Sequence, residues 1–377
     1  VISDRILVKF STSKTELQQA LQKLSKAAPT RSTLPILGCV LLEASTEKTT
    51  LRATDLEITI QVEISVSLER AGSAALPIRT LLDITTELPE TRLTLTVDEK
   101  NRAEIQTDSG IYDLMGKPAD EFPATPGNQD TASIQISAEL LKGVIDATSF
   151  AVSRDDLKPA LTGVLFRFGS NGLTAVSTDG HRLVKYTRTD FEQGNYVGDM
   201  IIPRKFLTFM SAQLSTGLID LYIGKNHLTA KFGQDTVLTR LIDERFPDYE
   251  NVIPKDNEKT LTVDKDVLLG AIRRVSIFSN KSTHQVALKL SKEECKITTE
   301  DPEKSSKAME SIPGEYDGDS LNIGYNADYL KDVVLHITGD KAVVKLNTSI
   351  SAALFSSEST EENIDSLMLL MPIRLND

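Results

Sequence analysis

The sequence has no tryptophan, two cysteines and four histidines. Cys39 and Cys295 lie far apart, with no CxxC spacing and no cluster of His and Cys around them. That argues against a disulfide framework, zinc or iron–sulfur ligation, and suits a reducing cytosol. Long apolar runs are missing too. No stretch approaches the roughly eighteen apolar residues of a membrane helix, and no leader-like segment opens the sequence, so a cytoplasmic protein is expected. Phosphate-cradling loops are also absent. Gly217 to Lys225 carries glycines and a lysine, but the spacing is not GxxxxGK[ST], and Asn226 replaces the hydroxyl that would hold magnesium. No GxGxxG follows a strand-like run. Neither a metal nor a cofactor is therefore expected.

Positive charge is in the minority: 42 Lys and Arg against 54 Asp and Glu, a net −12. Read alone, this opposes a tight binder of nucleic acid. A loose hold through a local basic surface stays open, so placement matters more than the sum. Lys14, Lys23, Lys26 and Arg31 face only Glu16 over their segment, Arg204-Lys205 opens a later helix-like run, and Lys265, Arg273, Arg274 and Lys281 outnumber Asp264 and Asp266. A solvated helix face would account for such runs. Here they run against an acidic background, and the run beginning near Leu141 does not share the bias.

What is present is repetition. Thr54-Asp55 recurs 124 residues on at Thr178-Asp179, Phe122-Pro123 recurs 124 on at Phe246-Pro247, and Pro372 follows Pro247 by 125. A period this long is domain-sized, longer than any solenoid unit. Three copies of one domain are expected, at 1–130, 131–256 and 257–377, each long enough for its own core.

Every copy opens with an apolar stripe at helical spacing: Leu17, Ala20, Leu21 and Leu24, then Leu141, Val144, Ile145 and Thr148, then Leu268, Ala271, Ile272 and Val275. Ser13 and Glu16 read as a capping box for the first helix. Second helices are expected after Pro77, Pro203 and Tyr325, the prolines suiting a first helical position. Ile58 to Leu68 alternates apolar and polar residues, as a strand with one wet face does. The expected class is α+β, two helices packed on antiparallel sheets in each copy.

Thr178-Asp179-Gly180-His181-Arg182-Leu183 is the most distinctive hexapeptide. It reads as a tight Asp-Gly turn between strands, as part of a binding surface, or as an acid–base or metal-binding pair of Asp179 and His181. The last needs a nucleophile or further ligands, and His227, His284 and His336 form no motif with it. The ending is unusual as well: Leu367 to Ile373 is apolar within ten residues of the terminus, where chains are usually polar unless docked. A last strand halted at Met371-Pro372 is expected, because proline lacks the ladder donor.

Together with Thr33-Leu34-Pro35-Ile36-Leu37-Gly38, Pro203-Arg204-Lys205, Arg245-Phe246-Pro247-Asp248-Tyr249 and Met371-Pro372-Ile373-Arg374-Leu375, these motifs resemble the bacterial sliding clamps, beta subunits of the DNA polymerase III holoenzyme. The resemblance covers the whole chain in order. It implies a non-catalytic processivity factor: a head-to-tail homodimer whose six domains close a ring around duplex DNA, holding it without reading sequence. It places Arg31, Arg79, Arg204 and Lys205 towards DNA, with Arg154 standing in for another such residue, while Asp155, Pro159 and Ala160 depart from the usual pattern. It implies a peptide pocket of Leu161, Thr178, Gly180, His181, Arg182, Leu183, Pro247, Val252, Ile350, Met371, Pro372, Ile373 and Arg374. That pocket would serve the polymerase III alpha subunit, the clamp loader, repair polymerases and mismatch-repair proteins. Asn251 stands where an arginine is common, and Asn376-Asp377 extend past the usual end towards the pocket rim. At the subunit contact, Tyr112 would meet Ile277 and Phe278 of a second copy. The alternatives are a hydrolase using Asp179 and His181, or a repeat scaffold with no nucleic-acid role.

Overall fold

The computed structural model describes residues 6–127, 132–191, 196–359 and 361–375. Among them lie six α-helices and twenty-six strands. The helices are α1 (Lys14–Leu24), α2 (Ile78–Glu87), α3 (Ala138–Thr148), α4 (Arg204–Gln213), α5 (Lys265–Ser276) and α6 (Ala327–Leu335). They fall two to each third of the chain, and every strand pairing is antiparallel, as the α+β expectation requires.

The chain divides into two compact units, Val1–Ala138 with Ser215–Leu241, and Glu139–Leu214 with Ile242–Asp377. In the first unit, a five-stranded sheet runs in spatial order Ser67–Arg70, Ile6–Ser13, Arg92–Asp98, Arg102–Gln106 and Ile111–Met115. An eight-stranded sheet begins at Ala132–Ser137 and ends at Gly72–Pro77, and within it Asp235–Arg240 pairs with Ile58–Ile64. Helices α1 and α2 pack on one another. Leu17, Ala20, Leu21 and Leu24 form the buried face of α1, the stripe read from the sequence.

The second unit has a nine-stranded sheet and a four-stranded one. In the larger, the last strand, Ile364–Leu370, pairs with Arg182–Arg188, so that Leu370 lies opposite Arg182. In the smaller, Leu321–Asn326 lies at one edge and Ser306–Ser311 at the other. The main core gathers the buried faces of α5 and α6 between strands of both sheets, including Leu268, Ile272, Leu330, Val333, Val344 and Phe355. Burying such side chains stabilises a core by about 1.5–3 kcal/mol each.

Three local expectations change. The Ile58–Leu68 alternation is two strands in two sheets, Ile58–Ile64 and Ser67–Arg70, because the chain changes sheet at Ser65-Val66. The capping box of α1 is half made: the Ser13 hydroxyl accepts from the Glu16 amide at 3.1 Å, but the Glu16 carboxylate accepts from the Ser65 amide at 3.0 Å. That bond ties α1 to the sheet crossover. Pro77 and Pro203 occupy the cap itself rather than the first helical position. There they keep the extended backbone that leads into each helix.

Candidate functional site

The hexapeptide forms a turn closing the strands Gly172–Thr178 and Arg182–Arg188. The Thr178 hydroxyl donates to the Arg182 carbonyl at 2.7 Å and accepts from the Gly180 amide at 3.1 Å. Asp179 Oδ1 accepts from the amides of His181 and Arg182 at 2.9 and 3.0 Å. Gly180 has φ +91°, a backbone state that lacks a steric penalty only for glycine. Asp179 Oδ2 accepts from Arg182 Nε at 3.0 Å. Both carboxylate oxygens are thus committed to the turn and its arginine rather than to acid–base work with His181.

Arg182 is buried, which an arginine tolerates only when its donors are matched. Nη1 donates to Asp332 at 2.8 Å and Nη2 to the Phe150 carbonyl at 2.8 Å. The guanidinium carbon lies 4.6 Å from the Tyr329 ring centroid and 5.4 Å from that of Phe150, so the plane is held between two aromatic faces. Phe150 in turn stacks on His336 with centroids 3.8 Å apart. Beside them on α6, a hydrogen bond from Lys331 holds the Asp328 carboxyl below the usual range. The Arg182 side chain therefore works behind the turn, joining it to the end of α3 and to α6.

On the apolar side, Leu165, Val176, Leu183, Ile201, Tyr249, Ala352 and Leu369 form a buried cluster, with Ala160, Ile242, Phe246, Ile253 and Leu354 packed on it. Leu161 is buried next to Ala160. Pro247 and Val252 flank Tyr249, Ile350 precedes Ala352 by two, and Met371 follows Leu369 by two. Val252, Ile350 and Met371 are 56%, 66% and 42% exposed. Exposed apolar side chains next in sequence to a buried apolar cluster are the makings of a surface for an apolar ligand. Its polar edge is supplied by the turn.

Tyr249, buried in this cluster, is a residue that the sequence reading did not assign to the site. Its hydroxyl takes a hydrogen bond from Arg167 Nη1 at 3.2 Å, and burial pushes its phenol up. The motif Arg245 to Tyr249 contained the signal, since two aromatics around a proline are costly to leave in solvent. Asn251, in the place of a common arginine, donates to Asp248 at 2.6 Å.

The tail completes the wall. The Met371 amide donates to the His181 carbonyl at 2.8 Å, and the Ile373 amide to the Gly324 carbonyl at 2.8 Å. Pro372 stands between these bonds, where the chain leaves one sheet for the other and no donor is needed. Arg374 is exposed, and Asn376 and Asp377 lie outside the described residues.

The basic positions are exposed in every case: Arg31, Arg79 in the first turn of α2, Arg154, and Arg204 and Lys205 in the first turn of α4. Arg154 and Arg204 share a cleft of about 1160 Å³ with Lys142, Lys158 and the Arg182 assembly. Several basic residues are held by partners, Lys142 by Asp146 at 3.2 Å among them. Lys23 pairs with the nearly buried Asp235 at 2.6 Å, Arg274 pairs with Glu310, and Lys265 donates to the Ile337 carbonyl at 2.5 Å. The positive surface is thus narrower than the raw count of lysines and arginines.

Tyr112 lies on the edge strand Ile111–Met115, between Ile111 and Met115, which are 60% and 61% exposed. Ile277 and Phe278 follow α5 and are exposed, and the Phe278 carbonyl accepts from Ser306 on the other open edge, Ser306–Ser311. Within one chain, Tyr112 belongs to the first unit, and Ile277 and Phe278 to the second. No group of three or more metal-ligating side chains occurs among the described residues. No described helix is long and apolar enough to cross a membrane.

Three consecutive family descriptions match the chain: DNA polymerase III beta subunit N-terminal domain over 8–126, central domain over 135–248 and C-terminal domain over 250–374. The beta sliding clamp of Pseudomonas aeruginosa is 32% identical over 371 residues, covering 97% of this chain and all of that protein. That of Vibrio cholerae is 30% identical over 377 residues, covering 98% and 100%. Among solved structures, the P. aeruginosa clamp bound to griselimycin superposes with a TM-score of 0.90 at 30% identity, covering 98% of this chain and 100% of that one. The Bacillus subtilis clamp gives 0.92 at 28% identity with the same coverage.

Proposed function

The chain belongs to the DNA polymerase III beta-subunit family, the beta sliding clamps, and on that premise we propose that it encircles duplex DNA as a homodimer and tethers proteins through the groove beside His181. The family is a non-catalytic processivity factor, so no turnover is asked of Asp179 or His181. We place the three clamp domains at 1–130, 131–256 and 257–377.

The observation that carries the ring is the pair of open sheet edges bearing exposed apolar side chains, one with Ile111 and Met115 and the other with Met309. Unpaired edges of this kind invite strand pairing with another chain. Joining the first edge of one copy to the second edge of the next is a head-to-tail contact that closes when two copies meet. Tyr112 would then pack on Ile277 and Phe278 of the partner. Replacing Ile277 and Phe278 by Asp buries unpaired charge there and gives monomers by light scattering; a mass still twice that of the chain rejects this interface.

Arg31, Arg79, Arg154, Arg204 and Lys205 supply the positive inner surface, and the net −12 keeps the rest from gripping phosphate. The groove accepts leucine- or phenylalanine-bearing segments of the polymerase III alpha subunit, the clamp loader, repair polymerases and mismatch-repair proteins, as well as griselimycin. The decisive experiment loads the protein on a nicked circular plasmid with a clamp loader. It stays on the circle and is lost once the plasmid is linearised. Retention on the linear form, or failure to load, rejects encirclement.

A further inference from the structure

Resting on the groove reading above, we propose that Gly324 is a positioning residue for ligand binding: it is the seat on which the C-terminal tail closes, and that closure fixes the Met371-Pro372 wall of the groove. Gly324 is buried in the edge strand Leu321–Asn326, outside the groove itself. Its carbonyl accepts from the Ile373 amide, and the two residues form an antiparallel bridge. A Cβ built at Gly324 would lie 2.7 Å from Leu375 Cδ2, 3.0 Å from Leu375 Cγ and 2.8 Å from the Ile373 carbonyl oxygen. A leucine side-chain end can swing aside. The backbone oxygen moves only if the tail lifts.

The seat closes a circuit. Starting at the turn, the His181 carbonyl holds Met371, and two residues later Ile373 is held by Gly324. Two residues beyond Gly324, the Asn326 side chain caps α6, accepting from the amides of Asp328 and Tyr329 at 2.9 and 3.2 Å. From α6, Tyr329 and Asp332 clasp Arg182, the neighbour of His181. The contacts between segments are hydrogen bonds, an ion pair and a ring contact, and the described tail, Met371 to Leu375, is tied by two backbone hydrogen bonds. Its two attachments therefore decide whether Met371 and Pro372 present one geometry or many. A wall ordered beforehand loses less freedom when a ligand arrives, and affinity rises accordingly.

The test measures griselimycin affinity by calorimetry for the full-length protein, Gly324→Ala, Leu375→Ala and the double variant, alongside dimer mass and thermal unfolding. Gly324→Ala is expected to bind roughly tenfold more weakly with dimer mass unchanged and unfolding temperature nearly so. Leu375→Ala loses less, and the double variant no more than Gly324→Ala alone, because both release one latch. Additive losses, or wild-type affinity in Gly324→Ala, overturn the proposal. If Gly324→Ala unfolds early, Leu375→Ala alone decides, since it adds no atom to the core: unchanged affinity there also overturns it. Failure of the wild-type protein to bind griselimycin counts against the groove reading instead.

Discussion

The turns Thr54–Ile58 and Thr178–Arg182 are wired alike. In the first, the Thr54 hydroxyl donates to the Ile58 carbonyl at 2.9 Å, and Asp55 Oδ1 accepts from the amides of Glu57 and Ile58 at 3.0 and 2.8 Å. Leu56 has φ +78° where Gly180 has +91°. The Glu57 carbonyl accepts from the Arg240 amide at 2.9 Å, just as His181 accepts from Met371. Two residues on, Ile242 donates to the Ile201 carbonyl at 3.0 Å, as Ile373 does to Gly324. The backbone scheme was copied with the domain. What differs is the side chains around it: Leu56 for Gly180, Ile58 for Arg182, Ile201 for Gly324. The comparison teaches that the groove is a property of those substitutions and not of the turn, because the turn alone occurs twice.

Exchanging residues between the two turns breaks or sharpens that comparison. The largest effect is expected for Arg182→Ile, which puts the first turn's residue into the second. Asp179 and Asp332 lose their common partner and two aromatic faces lose the guanidinium between them, at a cost of about 3 kcal/mol, read by urea unfolding. A loss below about 1 kcal/mol, the scale of an exposed pair, would mean the arginine is not the clasp described here. Next comes Gly180→Leu. Leu56 also adopts a left-handed backbone, and a Cβ at Gly180 meets nothing within 4 Å, so the fold is kept at a local strain of roughly 1–2 kcal/mol while a leucine stands at the groove mouth. Griselimycin binding should weaken roughly tenfold; equal binding would place the ligand elsewhere.

The smallest effect concerns Tyr325, the neighbour of Gly324, whose counterpart in the earlier copy is Ile202. The Tyr325 hydroxyl is buried with no hydrogen-bond partner among the described residues, and burial pushes its ionisation far up. Tyr325→Phe removes a desolvated polar group that the earlier copy lacks, and should raise stability by about 1 kcal/mol. Destabilisation would show that the hydroxyl has a partner such as a buried water.

The sequence made the repeat, the helix stripes and the turn legible because each depends on nearby residues: an apolar period of 3.6, a Thr-Asp pair bonding to amides two or three positions away, a proline ending a ladder. It also displayed the tail, since Leu367 to Ile373 is too apolar to be left in water. Less visible was anything depending on which distant segment comes to lie behind which. The resemblance put Arg182 in the peptide pocket, but its partners Asp332 and Phe150, 150 and 32 residues away in sequence, could not be read from the motif. Lys23 read as part of a basic face, and Asp235, 212 residues on, neutralises it. The sheet change at Ser65-Val66 was hidden for a similar reason: alternation persists through the crossover, and only the Glu16 carboxylate and Thr12 hydroxyl that meet Ser65 mark it.

The most direct measurement is a crystal structure of this chain with griselimycin. The account predicts the ligand against His181, Val252 and Met371, with the turn at Thr54–Ile58 empty. A ligand bound at Thr54–Ile58, at both turns equally or at neither would contradict it.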